Sequence, residues 1–194
     1  AGHTLMAGIE AQDEPRIEQA FLDHEGPGSF VVRSDGHRLG LYAQDEWHIS
    51  SRFTSTLGLR IDDAEDASVM FSPRLGLQWQ ALPRVSIKAL YGQAHRAPNV
   101  FERDYEDGVA RTTNPALRSE RVDTAEIVAD VSAGPDLAFR ASVYRWKLHD
   151  LITLRTDPVS GLAQYQSGGA SKATGAEFSA DRTWGAGARL RASV

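Results

Sequence analysis

Residues 53–62 read FTSTLGLRID, and they carry the plainest alternation of apolar and polar side chains in the chain. Phe53, Leu57 and Ile61 fall on one face of an extended backbone, and Thr54, with the other even-numbered positions, falls on the opposite face. Because successive side chains of a β-strand point to opposite faces, the stretch predicts a strand with one apolar and one polar face. The segment just before it, residues 49–52, is short and polar, which is typical of a hairpin turn.

The same two-residue period recurs on both sides of this stretch, and no segment has the pattern of an amphipathic helix. The predicted strands are 3–12, 37–48, 53–62, 71–80, 85–94, 120–132, 137–149, 165–181 and 187–194. We therefore expect an all-β protein of about nine strands, in which consecutive strands pair antiparallel.

The connections between the predicted strands alternate in length. The short ones are 49–52, 81–84, 133–136 and 182–186, and the long ones are 13–36, 63–70, 95–119 and 150–164. This alternation places all the long loops at one edge of an up-and-down sheet. Outer-membrane barrels have that asymmetry, with short periplasmic turns and long extracellular loops.

Composition excludes several classes of protein. Charged residues make up 24% of the 194 positions, and they interrupt every apolar run before the roughly 18 residues of a transmembrane helix. The absence of cysteine excludes a disulfide scaffold, a thiolate metal site and a cysteine nucleophile. A net charge of −5 argues against nucleic acid as a partner. No serine elbow, zinc-binding helix or phosphate loop is present, so we predict no enzymatic activity, no metal site and no cofactor.

Aromatic residues cluster near the ends of the predicted strands. Those close to the short turns are Trp47, Phe53, Trp79, Phe139 and Trp184, and those close to the long loops are Tyr91, Tyr144, Trp146 and Tyr165. Two such belts are typical of the two membrane interfaces of a barrel. The alternative is that aromatic side chains favour strand ends in any β protein.

Several segments resemble, in order, consecutive barrel strands of the TonB-dependent outer-membrane receptors. They are LYAQDEW (41–47), LGLRID (57–62), FSPRLGL (71–77), YGQAHRAP (91–98), NPAL (114–117) with Glu120 and Glu126 after it, DLI (150–152) and TGAE (174–177). The resemblance implies a 22-stranded barrel around an N-terminal plug, in the outer membrane of a Gram-negative bacterium. It also implies import of a scarce ligand with energy delivered from the inner membrane.

The chain lacks the plug, the energy-coupling box and the aromatic-ended last strand of that family. Nine strands cannot close so wide a lumen, because barrel diameter grows with strand number. We therefore expect residues 1–194 to be the middle of one barrel domain. The resemblance implies as partners the outer-membrane lipid, the protein's own plug and, through the plug, the TonB energy-coupling protein.

The resemblance also points to the long loop 95–119 as a place for ligand contacts. Arg103, Tyr105 and Arg111 offer forked donors and a stacking face to a ferric siderophore or a similar chelate; the alternative is a solvated loop. His95 stands where the family usually has an aromatic residue, and it could ligate haem iron or pack at the rim. Residues 99–113 lack the histidine usual in haem transporters, so a ferric siderophore is favoured.

Other functions stay open at this stage. A cobalamin or haem receptor of the same family, a passive porin-like or structural barrel, and a soluble β-sandwich binding module are the alternatives.

Charged side chains outside that loop have two interpretations each. Arg74, Glu126 and Glu177 lie on the polar face, where they could pair with the plug or with neighbouring strands. The acidic run of Asp62, Asp63, Glu65 and Asp66 could hold calcium, although a hydrated acidic turn is preferred.

Overall fold

The computed structural model describes residues 2–22, 29–64, 67–185 and 187–194. These residues form one nine-stranded antiparallel sheet, in which each strand pairs with the next along the chain. The strands are β1 (Gly2–Leu22), β2 (Ser29–His48), β3 (Phe53–Ala64), β4 (Met70–Leu82), β5 (Val85–Arg96), β6 (Glu120–Ser132), β7 (Leu137–Thr156), β8 (Ala163–Thr183) and β9 (Arg189–Ser193). The predicted all-β, up-and-down architecture is confirmed.

The sheet is a single layer whose apolar face is uncovered. Leu57 pairs with Leu75, and Leu75 pairs with Tyr91, so the apolar positions of neighbouring strands share one face. Among the described hydrophobic residues only Met70, Leu117 and Val128 are buried, whereas Leu5 and Ile9 are more than 70% exposed. A soluble sandwich buries such a face against a second sheet, and the described residues form no second sheet. The β-sandwich alternative is therefore wrong.

Two predicted loops are largely strand. The structure extends β1 to Leu22 and begins β2 at Ser29, and it extends β7 to Thr156 and begins β8 at Ala163. These outer hairpins are held by the backbone ladder, with pairs such as Gln19 to Val32. The apolar alternation that marks a half-buried strand is weak there, because water can reach both faces.

A β-bulge interrupts the outer part of β7. The register with β8 shifts between Leu148 and Leu151, and Asp150 has a φ of 54°, in the left-handed region. Aspartate tolerates this region better than most residues. The bulge therefore lies inside the DLI segment, 150–152, one of those that carried the family resemblance.

One short helix interrupts the long connection between β5 and β6. This helix, α1 (Val100–Asp104), has a capping box in which the Asn99 side chain accepts a hydrogen bond from the Glu102 backbone at 2.8 Å, and the Glu102 carboxylate accepts one from the Asn99 backbone at 3.0 Å. The prediction of a chain without helices missed α1, because a single turn is too short to show a period.

Among the described residues, no helix has both the length and the apolar character needed to cross a membrane.

Candidate functional site: the outer loop and the polar face

The loop between β5 and β6, residues 97–119, is anchored at both ends by one arginine. The Arg96 guanidinium donates to Glu102 at 2.8 and 3.1 Å and to Glu120 at 2.8 Å. Glu102 lies in α1, whereas Glu120 begins β6. The two charge-assisted contacts therefore tie the start of the loop to its end.

Three aromatic rings and one arginine pack together on this loop. The Phe101 ring stacks on Tyr105 with 4.4 Å between centroids, and it meets the edge of Tyr165 from β8 at 6.2 Å. The Arg111 guanidinium lies 5.6 Å from the centroids of both Phe101 and Tyr105, within cation–π range. We call these four residues the loop cluster; it combines a cation with flat aromatic surface.

Hydrogen bonds to the outer end of β8 hold the loop cluster in place. The Asn114 amide donates to the Tyr165 carbonyl at 2.8 Å, and the Gln164 amide donates to the Thr113 carbonyl at 2.8 Å. Further along, the Ser167 hydroxyl accepts from the Arg118 backbone N–H at 2.8 Å. The loop is therefore a folded part of the barrel rim.

A carboxylate shapes the turn that leads to Arg111. Asp107 Oδ1 accepts the backbone N–H groups of Val109, Ala110 and Arg111 at 3.0, 2.7 and 2.8 Å. These hydrogen bonds, strongest from Ala110, hold the pKa of the Asp107 carboxyl below its usual value. The ionised side chain thus positions the segment that presents the guanidinium.

The structure brings together two of the four predicted ligand-binding residues, Tyr105 and Arg111. Arg103 lies in α1 and donates to the neighbouring Asp104 at 2.8 and 2.7 Å. His95 lies apart from the loop cluster, with its Nδ1 atom 3.4 Å from the Ser72 hydroxyl, in a cavity that Arg60 and Asp62 also line.

The other two members of the loop cluster, Phe101 and Tyr165, were not predicted from the sequence as ligand-binding residues. Phe101 and Tyr105 are spaced i, i+4 after the Asn99–Glu102 capping pattern, which was a usable indication that they share a helix face. No comparable pattern marks Tyr165, because it reaches the loop cluster from a distant part of the chain.

The charged residues predicted for the lumen share one cavity on the polar face. Arg74, Glu126 and Glu177 line it together with Tyr144 and Trp146. Within the described parts of the chain, none of the three charged side chains makes an ion pair within 4 Å. Tyr144 and Trp146 belong to this polar face, so their expected place in an outer aromatic belt is wrong.

A second polar-face feature is a network of four charged side chains across β1, β2 and β3. Arg60 binds Asp62 through two nitrogens at 2.8 and 2.7 Å and reaches Glu10 at 3.0 Å, while Arg38 binds Glu10 at 2.9 Å. Asp62 is 8% exposed. It is therefore an ion-pair partner rather than part of a hydrated acidic turn.

Of the rest of that predicted acidic run, only Asp63 belongs to the described residues, and it is part of no cation site there. Asp63 is exposed, and Glu65 and Asp66 lie outside the described residues. No group of three or more metal-ligating side chains occurs in the described ranges.

The aromatic residues near the short turns lie on the apolar face. Phe53 and Trp79 are paired in register and stack at 5.8 Å, and Phe139 stacks at 6.0 Å on Phe178 of β8. Trp47 shares this face, and Trp184 follows β8 with the Arg182 guanidinium 5.0 Å from its ring. Tyr91 lies on the same face, nearer the long-loop end.

An uncovered apolar face, a charged opposite face, short turns at one end and a folded loop at the other define a transmembrane β-barrel protein. A family model described as "TonB dependent receptor-like, beta-barrel" matches residues 2–194. The chain belongs to this family of TonB-dependent receptors, which are receptors and transporters of the Gram-negative outer membrane.

Curated relatives match only in part of their length. The chain is 25% identical to the vitamin B12 transporter BtuB of Vibrio cholerae serotype O1 over 182 residues, which are 92% of this chain and 26% of the transporter. It is 27% identical over 117 residues to the iron-regulated outer membrane virulence protein of the same organism, covering 58% of this chain and 18% of that protein. The chain thus spans about a quarter of the first relative.

Solved structures share the fold. The siderophore receptor PirA from Pseudomonas aeruginosa superposes with a TM-score of 0.74 at 17% identity, covering 92% of this chain and 33% of that one. A mutant ferric enterobactin receptor, PfeA, from the same organism, in complex with enterobactin, gives a TM-score of 0.78 at 19% identity, covering 92% and 31%.

Proposed function

We propose that this chain is part of a receptor for the energy-dependent uptake of a scarce metal chelate, and that the chelate is a ferric siderophore. The observation that carries the proposal is the loop cluster, in which Arg111 lies against Phe101 and Tyr105. A guanidinium fork suits anionic catecholate or hydroxamate oxygens, and aromatic faces suit the flat rings of a catecholate. The fold neighbour PirA is described as a siderophore receptor and PfeA as a ferric enterobactin receptor, which supports this choice.

Two partners complete the proposal. Arg74, Glu126 and Glu177 face the lumen without an ion pair among the described residues, and we propose that they contact the plug of the parent protein. Through that plug, the TonB energy-coupling protein would drive release of the ligand inward.

Binding to the parent receptor on whole cells tests the role of the loop cluster. We expect Arg111→Ala to weaken binding of a ferric catecholate chelate by about tenfold, as for loss of one charge-assisted contact worth roughly 1.4 kcal/mol. Arg118→Ala is the matched control, because Arg118 lies in the same loop but pairs with Asp150. If the two variants bound the chelate equally well, the loop would be a solvated rim without a role in ligand binding.

Cobalamin is the second candidate, favoured by the match to the vitamin B12 transporter over 92% of this chain. The same whole-cell binding assay with cyanocobalamin distinguishes a cobalamin receptor from a siderophore receptor. Binding of cyanocobalamin without binding of any ferric chelate would replace the siderophore proposal. Uptake that continues after an uncoupler is added would argue for a passive barrel instead.

A further inference from the structure

The Glu120 carboxylate joins three strands at the outer rim of the sheet. Its Oε2 atom accepts a hydrogen bond from the Arg96 guanidinium, at the end of β5, at 2.8 Å. Its Oε1 atom accepts one from the backbone N–H of Ile152, in β7, also at 2.8 Å. The Glu120 side chain is only 16% exposed, so both contacts lie largely out of water. Because each oxygen serves a different strand, one side chain at the start of β6 connects β5 to β7.

The β-bulge in β7 supplies the N–H group that Glu120 accepts. The register with β8 shifts on both sides of Leu151, and Asp150 has a φ of 54°. On the other side of β7, the last backbone pair with β6 joins Arg121 to His149. A bulge re-aims the groups of one strand, and a backbone N–H that leaves the ladder needs another acceptor. The Glu120 side chain therefore continues the attachment of β7 to β6 beyond the end of the ladder.

A second ion pair at the same bulge is more open to solvent. The Arg118 guanidinium donates to Asp150 at 2.5 Å, but the arginine side chain is 63% exposed. Exposed ion pairs contribute little, because water and salt screen them. Glu120 is therefore the better shielded connection between the loop 97–119 and β7.

One half of the loop cluster is connected to Glu120 through α1. Arg96 binds Glu102 at 2.8 and 3.1 Å with the two nitrogens that do not contact Glu120. Glu102 follows Phe101 directly in α1, and Tyr105, at the C-terminal end of this helix, stacks on the Phe101 ring. The position of these two rings relative to β6 therefore depends on Arg96 and Glu120.

The other half of the loop cluster is connected to Glu120 through the hairpin of β7 and β8. Ile152 lies two residues before Leu154, which pairs in register with Tyr165 of β8. The Tyr165 ring meets Phe101 with 6.2 Å between centroids. Release of Ile152 from Glu120 would free this hairpin from β6 and separate the ring on β8 from the rings on the loop.

We propose that Glu120 is a positioning residue for the loop cluster: it holds α1 and the hairpin of β7 and β8 at the spacing at which Phe101, Tyr165 and Arg111 form one surface. Both of its oxygens are occupied by protein donors, so it acts by keeping this surface assembled before a ligand arrives. A receptor whose binding surface is assembled only part of the time has an apparent affinity reduced by that fraction. The consequence for binding rests on the function proposed above, whereas the assembly of the loop cluster does not.

Hydrogen exchange in the full-length parent receptor in detergent tests the assembly without any ligand. The reporters are the N–H groups of Thr112 and Ala163, which donate at 3.0 and 2.8 Å across the junction between the loop and β8. We expect Glu120→Gln to accelerate exchange at both reporters about tenfold, because the amide can no longer accept from both partners, and to leave residues 125–129 within about twofold of the wild type. Glu106→Gln, at an exposed position in the same loop, is the matched control and should leave both regions unchanged.

Two results of this experiment would overturn the proposal. Equal acceleration at the reporters and at residues 125–129 would show a general loss of stability instead of a local positioning role. Unchanged exchange at the reporters would show that the loop and β8 stay together without the Glu120 carboxylate.

A shorter side chain with the same charge guards against a folding defect in the amide variant. Glu120→Asp lacks one methylene group, so we expect it to hold one of its two partners at a time and to accelerate exchange at both reporters about threefold. Wild-type exchange in this variant would show that joining the two strands is not what Glu120 does, and would overturn the proposal.

Binding kinetics of ferric enterobactin to the same proteins test the consequence for a ligand. We expect Glu120→Gln to slow association about tenfold, with the dissociation rate within about twofold of the wild type and the number of sites unchanged, because fewer receptors have an assembled surface at any moment. Arg111→Ala, which removes a proposed ligand contact, should instead speed dissociation. Faster dissociation from Glu120→Gln with unchanged association would indicate direct contact with the ligand, and fewer sites with normal rates would indicate loss of folded receptor. Either result would overturn the positioning role.

The two experiments separate failure of this proposal from failure of the proposed function. If the wild type binds neither ferric enterobactin nor another ferric chelate, the siderophore proposal is wrong. Hydrogen exchange at Thr112 and Ala163 then still decides whether Glu120 assembles the loop cluster.

Discussion

Tyr144 lies against Gly175 on the neighbouring strand β8. This close approach is possible because glycine has no side chain. A Cβ atom at Gly175 would lie 2.5 Å from the Tyr144 hydroxyl oxygen. We expect Gly175→Ala to lower the free energy of unfolding of the parent barrel by about 1 kcal/mol, as overpacking does. In a Tyr144→Ala background the same change should cost nothing. Urea unfolding of the wild type, the two single variants and the double variant measures the coupling free energy between the two positions.

The matched control is Gly92→Ala, because a Cβ there meets its nearest atom at 3.7 Å. An equal loss at Gly92 and Gly175 would contradict the tyrosine contact.

Asp107 makes the order of the outer loop depend on pH in a defined direction. Because its pKa is held below the usual value by backbone N–H donors, the ionised form is favoured in the folded loop. Its contribution is fully present above the ordinary aspartate pKa of about 3.9 and is lost as the pH falls through the lowered pKa. Hydrogen exchange at residues 107–111 should accelerate only below about pH 4, beyond the intrinsic pH effect.

Asp107→Asn should remove this pH dependence, since the amide oxygen still accepts but does not titrate. Asp107→Ala should accelerate exchange at every pH, because the three N–H groups lose their acceptor. Slow exchange in the alanine variant would show that other contacts order the turn.

At the scale of elements, the charge network joins three consecutive strands on the polar face. The Asp62 carboxylate accepts hydrogen bonds from two nitrogens of Arg60, and Arg60 reaches across Gly40 of β2 to Glu10 of β1. A Cβ at Gly40 would lie 2.6 Å from the Arg60 Nη2 atom, so the glycine makes room for the crossing. The network therefore links β1 to β3 across β2.

We expect Asp62→Asn to destabilise the parent barrel by about 1–2 kcal/mol, because a hydrogen bond to a charged group is lost in a largely buried place. Asp63→Asn, at the exposed neighbouring position, should change the free energy of unfolding by less than about 0.5 kcal/mol. Urea titration in micelles measures both. If the two variants lost a similar free energy of unfolding, the ion pairs of the network would be screened by solvent and would add little stability.

The whole molecule is a sheet whose largest apolar surface faces outward. Leu41, Leu57 and Leu75 are each between 46% and 50% exposed, and β1 and β9 form the two edges of the described sheet. Unpaired edges and an apolar face both favour aggregation in water. We expect residues 1–194 expressed alone to remain monomeric only in detergent, as measured by light scattering after gel filtration, with the detergent-solubilised sample as control. A water-soluble monomer would contradict the membrane assignment.

Sequence alternation was sufficient for the elements that lie in the membrane. It predicted nine strands and their antiparallel order, because lipid on one face and polar contacts on the other impose a strict period of two. It failed for the outer parts of β1, β2, β7 and β8, where apolar residues such as Val31 and Val32, or Leu151 and Ile152, are adjacent instead of alternating and pairing depends on the backbone. The belt prediction for Tyr144 and Trp146 did not come from alternation but from their closeness to the long loops. Alternation with Arg140 puts both residues on the polar face, as observed.

By itself, the sequence determined the class of this protein, the resemblance to its family and the faces of most strands, since these follow from local periodicity and motif order. Only the tertiary structure decided which side chains meet. Tyr165 joins Phe101 and Tyr105, and Lys172 stands beside Lys147, through pairing between distant segments. The same physical reason covers the proposed ligand site: Tyr165 of β8 reaches the loop between β5 and β6 through contacts between segments that are far apart in the sequence.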